Sequence, residues 1–433
     1  MTNIDTLITN LNHIDVNTRL DSLRKLMEKI NAGEIQRPPR GQDVNNHIHT
    51  TYSFSPYSPS KAIWMAYNAG LATAGIMDHD SISGADEFIE AGKIAGIATT
   101  IGVECRADFS CTPLNGKRIN NPDQDSIAYV AIHGIPHTQI SKVKQFFAPY
   151  TAQRNLRNRQ MVDRINEIIQ PCGLSLDFYQ DIVPLSMNVE GGSITERHIL
   201  YALSLKLIAT FGKGEKLLNV LKNTLNLNIS AKIASLLTDT ANSFYDYDLL
   251  GLLKGEMVSS FYINAAAECP DIKEVVSLSQ SIGAVLAYAY LGDVGDSVTG
   301  DKKSQKFEDD YLDQLFVVIK ELGFNAVTYM PSRNSLQQLK RIMSLCETHG
   351  LFQISGEDIN SPRQSFVCMA QRDAIFNHLI DAAWALIGHE LEATWDLENG
   401  MFSKRKLAEI NDLKKRITIF KEAGLSGISS FPA

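Results

Sequence analysis

Two histidines separated by one residue, His47 and His49, stand at the end of a short apolar stretch, Val44 to Thr50, whose composition suits a strand. Side chains two apart on a strand point to the same face, so both imidazoles address one place. Neutral imidazole is a good ligand for zinc, iron or manganese. Alone, the pair could equally be a polar strand end. Three further clusters, Asp78-His79-Asp80, Gly102-Val103-Glu104 and Gly356-Glu357-Asp358, each close another apolar stretch. Several strands delivering ligands to one place is how a parallel barrel builds a site.

The elements around these residues fit that plan. Leu20, Leu23, Leu26, Met27 and Ile30 fall at helical spacing, with Asn17 or Thr18 as cap. After the first strand comes a helix capped by Ser58 and opened by Pro59, then a strand Leu71 to Met77, a helix Ser83 to Ala95 and a strand Ile97 to Val103. This alternation implies parallel strands with helical crossovers. A fourth strand, Ile127 to Ile132, ends on His133. From Thr138 to about Tyr262 the spacing is helical throughout, and Thr195-Glu196-Arg197-His198 opens an apolar helix there. Strands then return at Ile282 to Tyr290, Ala326 to Tyr329 and Phe352 to Ser355. The resulting division is an N-terminal helical extension (1–36), a first barrel part (37–137), a helical insertion over the barrel (138–263), a second barrel part (264–370) and a C-terminal helical extension (371–433) for packing or oligomerisation.

Composition sets the class. The 433 residues, 44% hydrophobic and 21% charged, are those of a globular protein. A net charge of −8 argues against a broad nucleic-acid surface, and no stretch interleaves basic and aromatic residues. No apolar run reaches membrane-spanning length and the N-terminus lacks signal-peptide order, so a cytoplasmic protein without membrane partners is expected. The six cysteines form no Cys-x-x-Cys pair and suit reduced, mostly buried thiols.

In order and spacing, His47-x-His49-Thr50, Asp78-His79-Asp80, Gly102-x-Glu104, His133, Arg197-His198 and Asp358 resemble the polymerase and histidinol phosphatase (PHP) family across roughly residues 44 to 370. The resemblance implies a distorted (β/α)7 TIM-like barrel of α/β class with two or three metal ions at its C-terminal face. It also implies hydrolysis of phosphate esters. Carried over, His47, His49, Glu104 and Asp358 bind a first metal, and Glu104 bridges it to a second also held by His133. His79 binds a third, with Asp78 as a further ligand, an orienting group or a helix cap. A bridging carboxylate keeps two cations close, and water between them loses a proton near neutral pH. Glu104, Arg197 and His198 would then be catalytic, with Arg197, His198, Lys302 and Arg333 on the substrate phosphate.

The chain departs from the family pattern in two places. Ala287-Tyr288-Ala289 stands where Ala-His-Pro is usual, and Asp358-Ile359-Asn360 where Asp-x-His is usual. The first removes an imidazole from the second metal; the second leaves Asn360, a poorer ligand, at the third. Asp293 or Asp296, in the loop just past Tyr288, could supply a replacement oxygen. The expectation is therefore a metal-dependent phosphoesterase for a small phosphorylated metabolite, with one to three zinc, manganese or iron ions per chain and a homo-oligomer as an open option. The alternatives are an amide or cyclic-ester hydrolase on the same site, or a non-catalytic metabolite-binding protein with a degenerate metal site.

Overall fold

The computed structural model describes residues 3–294 and 305–428. Seven strands form one sheet in chain order: β1 (Val44–Ile48), β2 (Thr73–His79), β3 (Ala98–Asp108), β4 (Ile127–His133), β5 (Val285–Ala289), β6 (Ala326–Tyr329) and β7 (Phe352–Ser355). The ring closes where the chain beyond β7 meets β1, through His49 N to Ile359 O (2.9 Å) and Ile359 N to His47 O (3.1 Å). Two helices precede the barrel, α1 (Asn3–Asn10) and α2 (Val16–Asn31). The cap of α2 is Asp15, not Asn17 or Thr18, because its carboxylate accepts from Thr18 N at 2.9 Å. Helices α3 (Pro59–Asn68) and α4 (Ala85–Ala95) return the chain between the first three strands, which are parallel. Ser58 caps α3 through Lys61 N at 3.0 Å, with Pro59 at its first position.

Strand β4 runs against both neighbours. The sequence between Asp108 and Ile127 carries no helical period and forms no helix, so nothing returns the chain to the foot of the barrel. It turns at the mouth and comes down antiparallel, held by Asn120, whose amide bonds Tyr129 N (2.7 Å) and Tyr129 O (2.8 Å). Side-chain alternation then sorts the strands into two faces. Met77, Ala131, Val285, Ala287, Ala326, Phe352 and Ile354 fill the barrel interior, while Ile76, Val103, Cys105, Ile132, Leu286 and Tyr288 face the surrounding helices.

Between β4 and β5 lie α5 (Ile140–Ile169), α6 (Glu196–Phe211), α7 (Glu215–Asn223), α8 (Ala231–Thr238) and α9 (Tyr245–Phe261), packed around an apolar cluster of their own. The outer layer resumes with α10 (Ile272–Ile282), α11 (Leu312–Leu322) and α12 (Leu336–His349), and the chain ends in α13 (Asn377–Trp395), α14 (Lys404–Glu409) and α15 (Leu413–Ile428). Helix α13 is the floor of the barrel: Ala382, Ala385 and Leu386 join the interior cluster. Its Glu390 accepts from Thr100 Oγ1 (2.7 Å) and Ile101 N (2.8 Å) and pairs with His137 Nε2 at 2.8 Å. Among the described residues no helix is long and apolar enough to cross a membrane. All six cysteines are free; Cys105 is fully buried on the helix-facing side, where burial pushes its thiol pKa well up.

Two measurements follow from this packing. A Cβ on Gly388 of α13 would lie 1.9 Å from Phe420 O of α15, so Gly388→Ala should cost about 1–3 kcal/mol in urea unfolding through overpacking. Glu308 is fully buried; its Oε1 accepts from Tyr288 Oη (3.0 Å) and Leu291 N (2.9 Å), and burial pushes its pKa up to about 7. A carboxyl whose folded pKa is raised holds its proton more tightly when folded, so its contribution to stability falls as pH rises through that window and levels off above it. The unfolding free energy of wild type minus that of Glu308→Gln, read from urea titrations, should therefore fall by roughly 2–3 kcal/mol between about pH 5 and pH 8, and a difference that does not change with pH would rule out Glu308 as the titrating group.

Candidate metal centre

The barrel mouth gathers donors from four places along the ring. His47 and His49 from β1 bring their Nε2 atoms to 3.2 Å of each other. Glu104 Oε2 from β3 lies 3.7 Å from His47 Nε2, 3.9 Å from His49 Nε2 and 3.1 Å from His79 Nδ1 at the end of β2. Asp358, just past β7, places Oδ1 3.1 Å from His49 Nε2. Ligands about 2.1 Å from one ion are separated by roughly 3–3.5 Å. The ligand atoms of His47, His49 and Glu104 lie close enough together to face one divalent ion, with Asp358 beside His49 as a candidate fourth donor and His79 beside the Glu104 oxygen as the start of a neighbouring position.

The electrostatics agree with a cation there. Burial opposes a charge on His47, yet Glu104, with Asp358 and Asp78 behind it, outweighs it and raises the imidazole pKa. Burial likewise opposes charge on Asp358, but the His49 hydrogen bond and the charges of His49, His47 and Arg197 hold its carboxyl well below the usual range. His79 is kept neutral well below the ordinary imidazole value, by burial first and then by His49 and Arg154. Neutral imidazoles and an ionised carboxylate are the forms that bind metal.

Residues 45–219 match the family model for the PHP domain. They span β1 to β4 and run through α6 into α7. A Haemophilus influenzae protein named as a 5′-3′ exoribonuclease is 40% identical over 63 residues, 14% of this chain and 23% of that protein. The chain thus matches about a quarter of the curated relative's length. A solved structure from Bifidobacterium adolescentis, named as a candidate metal-dependent phosphoesterase, is 20% identical, with a TM-score of 0.50 over 78% of this chain and 97% of that one, and shares the fold. An amidohydrolase from Chromobacterium violaceum, solved with sulfate and no metal, is 16% identical with a TM-score of 0.49 over 75% and 90%.

Several residues take other places in the PHP domain than their motifs suggested. Asp78 faces away from His79, as adjacent strand residues must, and its carboxylate accepts from Thr50 N, Thr50 Oγ1 and Ser53 Oγ, each at 2.6 Å. Ser53 Oγ is in turn 3.3 Å from His49 Nδ1. Asp78 is therefore no direct ligand; it orients His49 through Ser53. His133 points inward, but β4 descends, so it pairs level with the foot of β5 at Val285 while Ala131 stands opposite Glu104. It lies below the donor cluster with neither ring nitrogen hydrogen-bonded, and burial with the His47 charge lowers its pKa to about 3. A shared site with Glu104 is not how the structure places it. Asn360 donates from Nδ2 to Asp358 Oδ1 at 2.6 Å, holding that ligand in line with the cluster. Tyr288 faces the helices and bonds Glu308, so the inward positions on either side of it are Ala287 and Ala289. Asp293 is spent on Phe307 N (2.6 Å); Asp296 and Lys302 lie outside the described residues.

Above the donors opens a cavity of about 1030 Å³ between barrel and insertion. Arg197 and Arg333 both line it. His198 does not share that role: its Nδ1 accepts from Thr195 N at 3.0 Å in the capping box of α6, and its ring, 1% exposed, packs edge-on against Phe54. Lys254 of α9 lines the cavity too; no motif marked it, and only the flanking Gly251 and Gly255 set it apart in the sequence. Loss of Asp78 should separate ligand from orienting group. Asp78→Ala is expected to retain metal with affinity lowered about 10–100-fold and to lose about 3 kcal/mol of stability from its unpaired donors. His49→Ala should lose the tightly held ion outright, as read by elemental analysis after dialysis.

Proposed function

We propose that this metal-dependent hydrolase cleaves a phosphate monoester of a small metabolite. The observation that carries the proposal is the shared cavity: metal donors from β1, β2, β3 and the segment after β7 form its floor, and Arg197 and Arg333 stand in its wall. A divalent ion held by His47, His49, Glu104 and Asp358 would polarise a phosphoryl oxygen and make a water acidic enough to attack near neutral pH. The chain's own groups do the rest. Asn360 keeps Asp358 aligned, and Ser53 with Asp78 fixes the His49 ring. Arg197 offers fixed donors for the equatorial phosphoryl oxygens, where charge spreads in the transition state. Arg333, tied to Leu291 O at 3.1 Å, approaches from the β6 side, where burial lowers its pKa. Phe54, Leu200, Tyr290, Phe307 and Met330 supply apolar wall for the organic part. A cavity of this size encloses a metabolite of nucleotide scale.

The Haemophilus relative motivates a second reading, in which the leaving group is a nucleotide chain. The two separate on substrate: an aryl phosphate and a 5′-phosphorylated oligoribonucleotide, each assayed with added manganese, zinc or iron. Phosphate release from the small ester that chelator abolishes, and that Glu104→Ala reduces at least about a thousandfold without loss of fold, is the expected result. Turnover retained in Glu104→Ala would sink the metal-hydrolase mechanism, and nucleotide release from RNA alone would favour the second reading.

A further inference from the structure

The helical insertion brings more positive charge to the cavity than the ion pairs there consume. Arg106 and Arg157 are taken by Glu196 and Glu268, and Arg154 by Asp80. Arg197 at the start of α6 and Lys254 on α9 form no ion pair among the described residues, yet both line the cavity. Helix α9 turns one face to that space, through Gly251, Lys254, Gly255, Val258 and Tyr262. The two glycines that flank Lys254 have no packing partner: a Cβ at either would meet nothing within 4 Å. Glycine inside a helix is unfavourable relative to alanine, and here it leaves open volume at the helix positions on either side of Lys254.

From this geometry we infer that Lys254 and Arg197 together form the phosphate-binding wall of the cavity, a two-cation cradle on the insertion that receives the substrate's phosphate dianion across from the metal donors. The inference rests on the phosphoester reading and adds to it a binding residue and a division of labour. Two like charges held side by side repel until an anion lies between them. The Arg197 charge and then burial lower the Lys254 pKa to about 8, against the opposing effects of Asp123, Asp358 and Glu196. An oxyanion bridging the two cations relieves that repulsion and gains charge-assisted hydrogen bonds from both.

The test is calorimetric titration of the protein as purified with inorganic phosphate, for wild type, Lys254→Met and Lys254→Arg. Lys254→Met should bind about tenfold more weakly, and Lys254→Arg should stay close to wild type. Wild-type affinity should decline above about pH 8, where the lysine loses its proton, and the arginine variant should not follow it. Equal affinity in wild type and Lys254→Met, or no phosphate binding by wild type, would overturn the assignment. If Lys254→Met does not fold, the contrast in pH profile between wild type and Lys254→Arg decides in its place. The two readings fail separately. Unchanged phosphate affinity in Lys254→Met with normal aryl phosphate turnover removes only the cradle; Lys254-dependent binding without turnover in any metal removes only the hydrolase reading.

Discussion

Everything at the barrel mouth depends on the two backbone hydrogen bonds that join β1 to the segment after β7, His49 N to Ile359 O and Ile359 N to His47 O. They fix the register between the His-x-His strand and the residues on either side of Ile359, Asp358 and Asn360. A shift of one residue would turn both imidazoles out of the barrel. Gly356 permits this closure, since a Cβ there would lie 2.6 Å from both the backbone and the side chain of His47. The ligand set is therefore a product of how the ring closes. Glu104 then completes it from β3, at the height that the β2–β3 register gives it opposite His79.

Where local pattern determines side-chain direction, the sequence was informative. His47 and His49 alternate on a strand, and Ser58-Pro59 announces the start of α3; both rules are local, and both features are present. The alternation of strands and helices followed from the same periodicities, and the seven-stranded barrel from the resemblance to the PHP family. Strand direction is not local. Nothing in Ile127 to His133 says which way the strand runs, and the descent of β4 moved His133 beneath the site while bringing Tyr129 to the mouth, its ring 5.9 Å from that of His79. The same limit applies to Asp78 and His198. Their residue types suit ligand or phosphate roles, but their hydrogen bonds to Ser53, Thr50 and Thr195 arise from chain packing that no spacing records.

The departures at Tyr288 and Asn360 look different once side chains have directions. Tyr288 belongs to the helix-facing layer and anchors Glu308, so it displaces nothing from the metal side. Asn360 serves as a support for its neighbour: its amide donates to Asp358, as Ser53, bonded to Asp78, contacts His49. The candidate position at His47, His49 and Glu104 is well braced, and the neighbouring one, with His79 and Glu104, has fewer donors to offer.

The insertion is tied to the barrel by charge, and that tie sets the register between metal and phosphate groups. Arg106 lies two residues beyond Glu104 on the same face of β3, and its guanidinium reaches Glu268 at 2.9 Å and Glu196 at 3.5 Å. Glu196, which also pairs with Arg157, is held well below the usual carboxyl pKa by Arg157 and Arg106 against its burial. It directly precedes Arg197. Buried ion pairs add little net stability once desolvation is counted, but each demands a specific geometry. A rotation of α6 that moved Arg197 off the metal donors would break Glu196 from two arginines and leave charges buried and unpaired. The strand that carries Glu104 thus sets, through Arg106 two residues later, where Arg197 stands in the cavity wall.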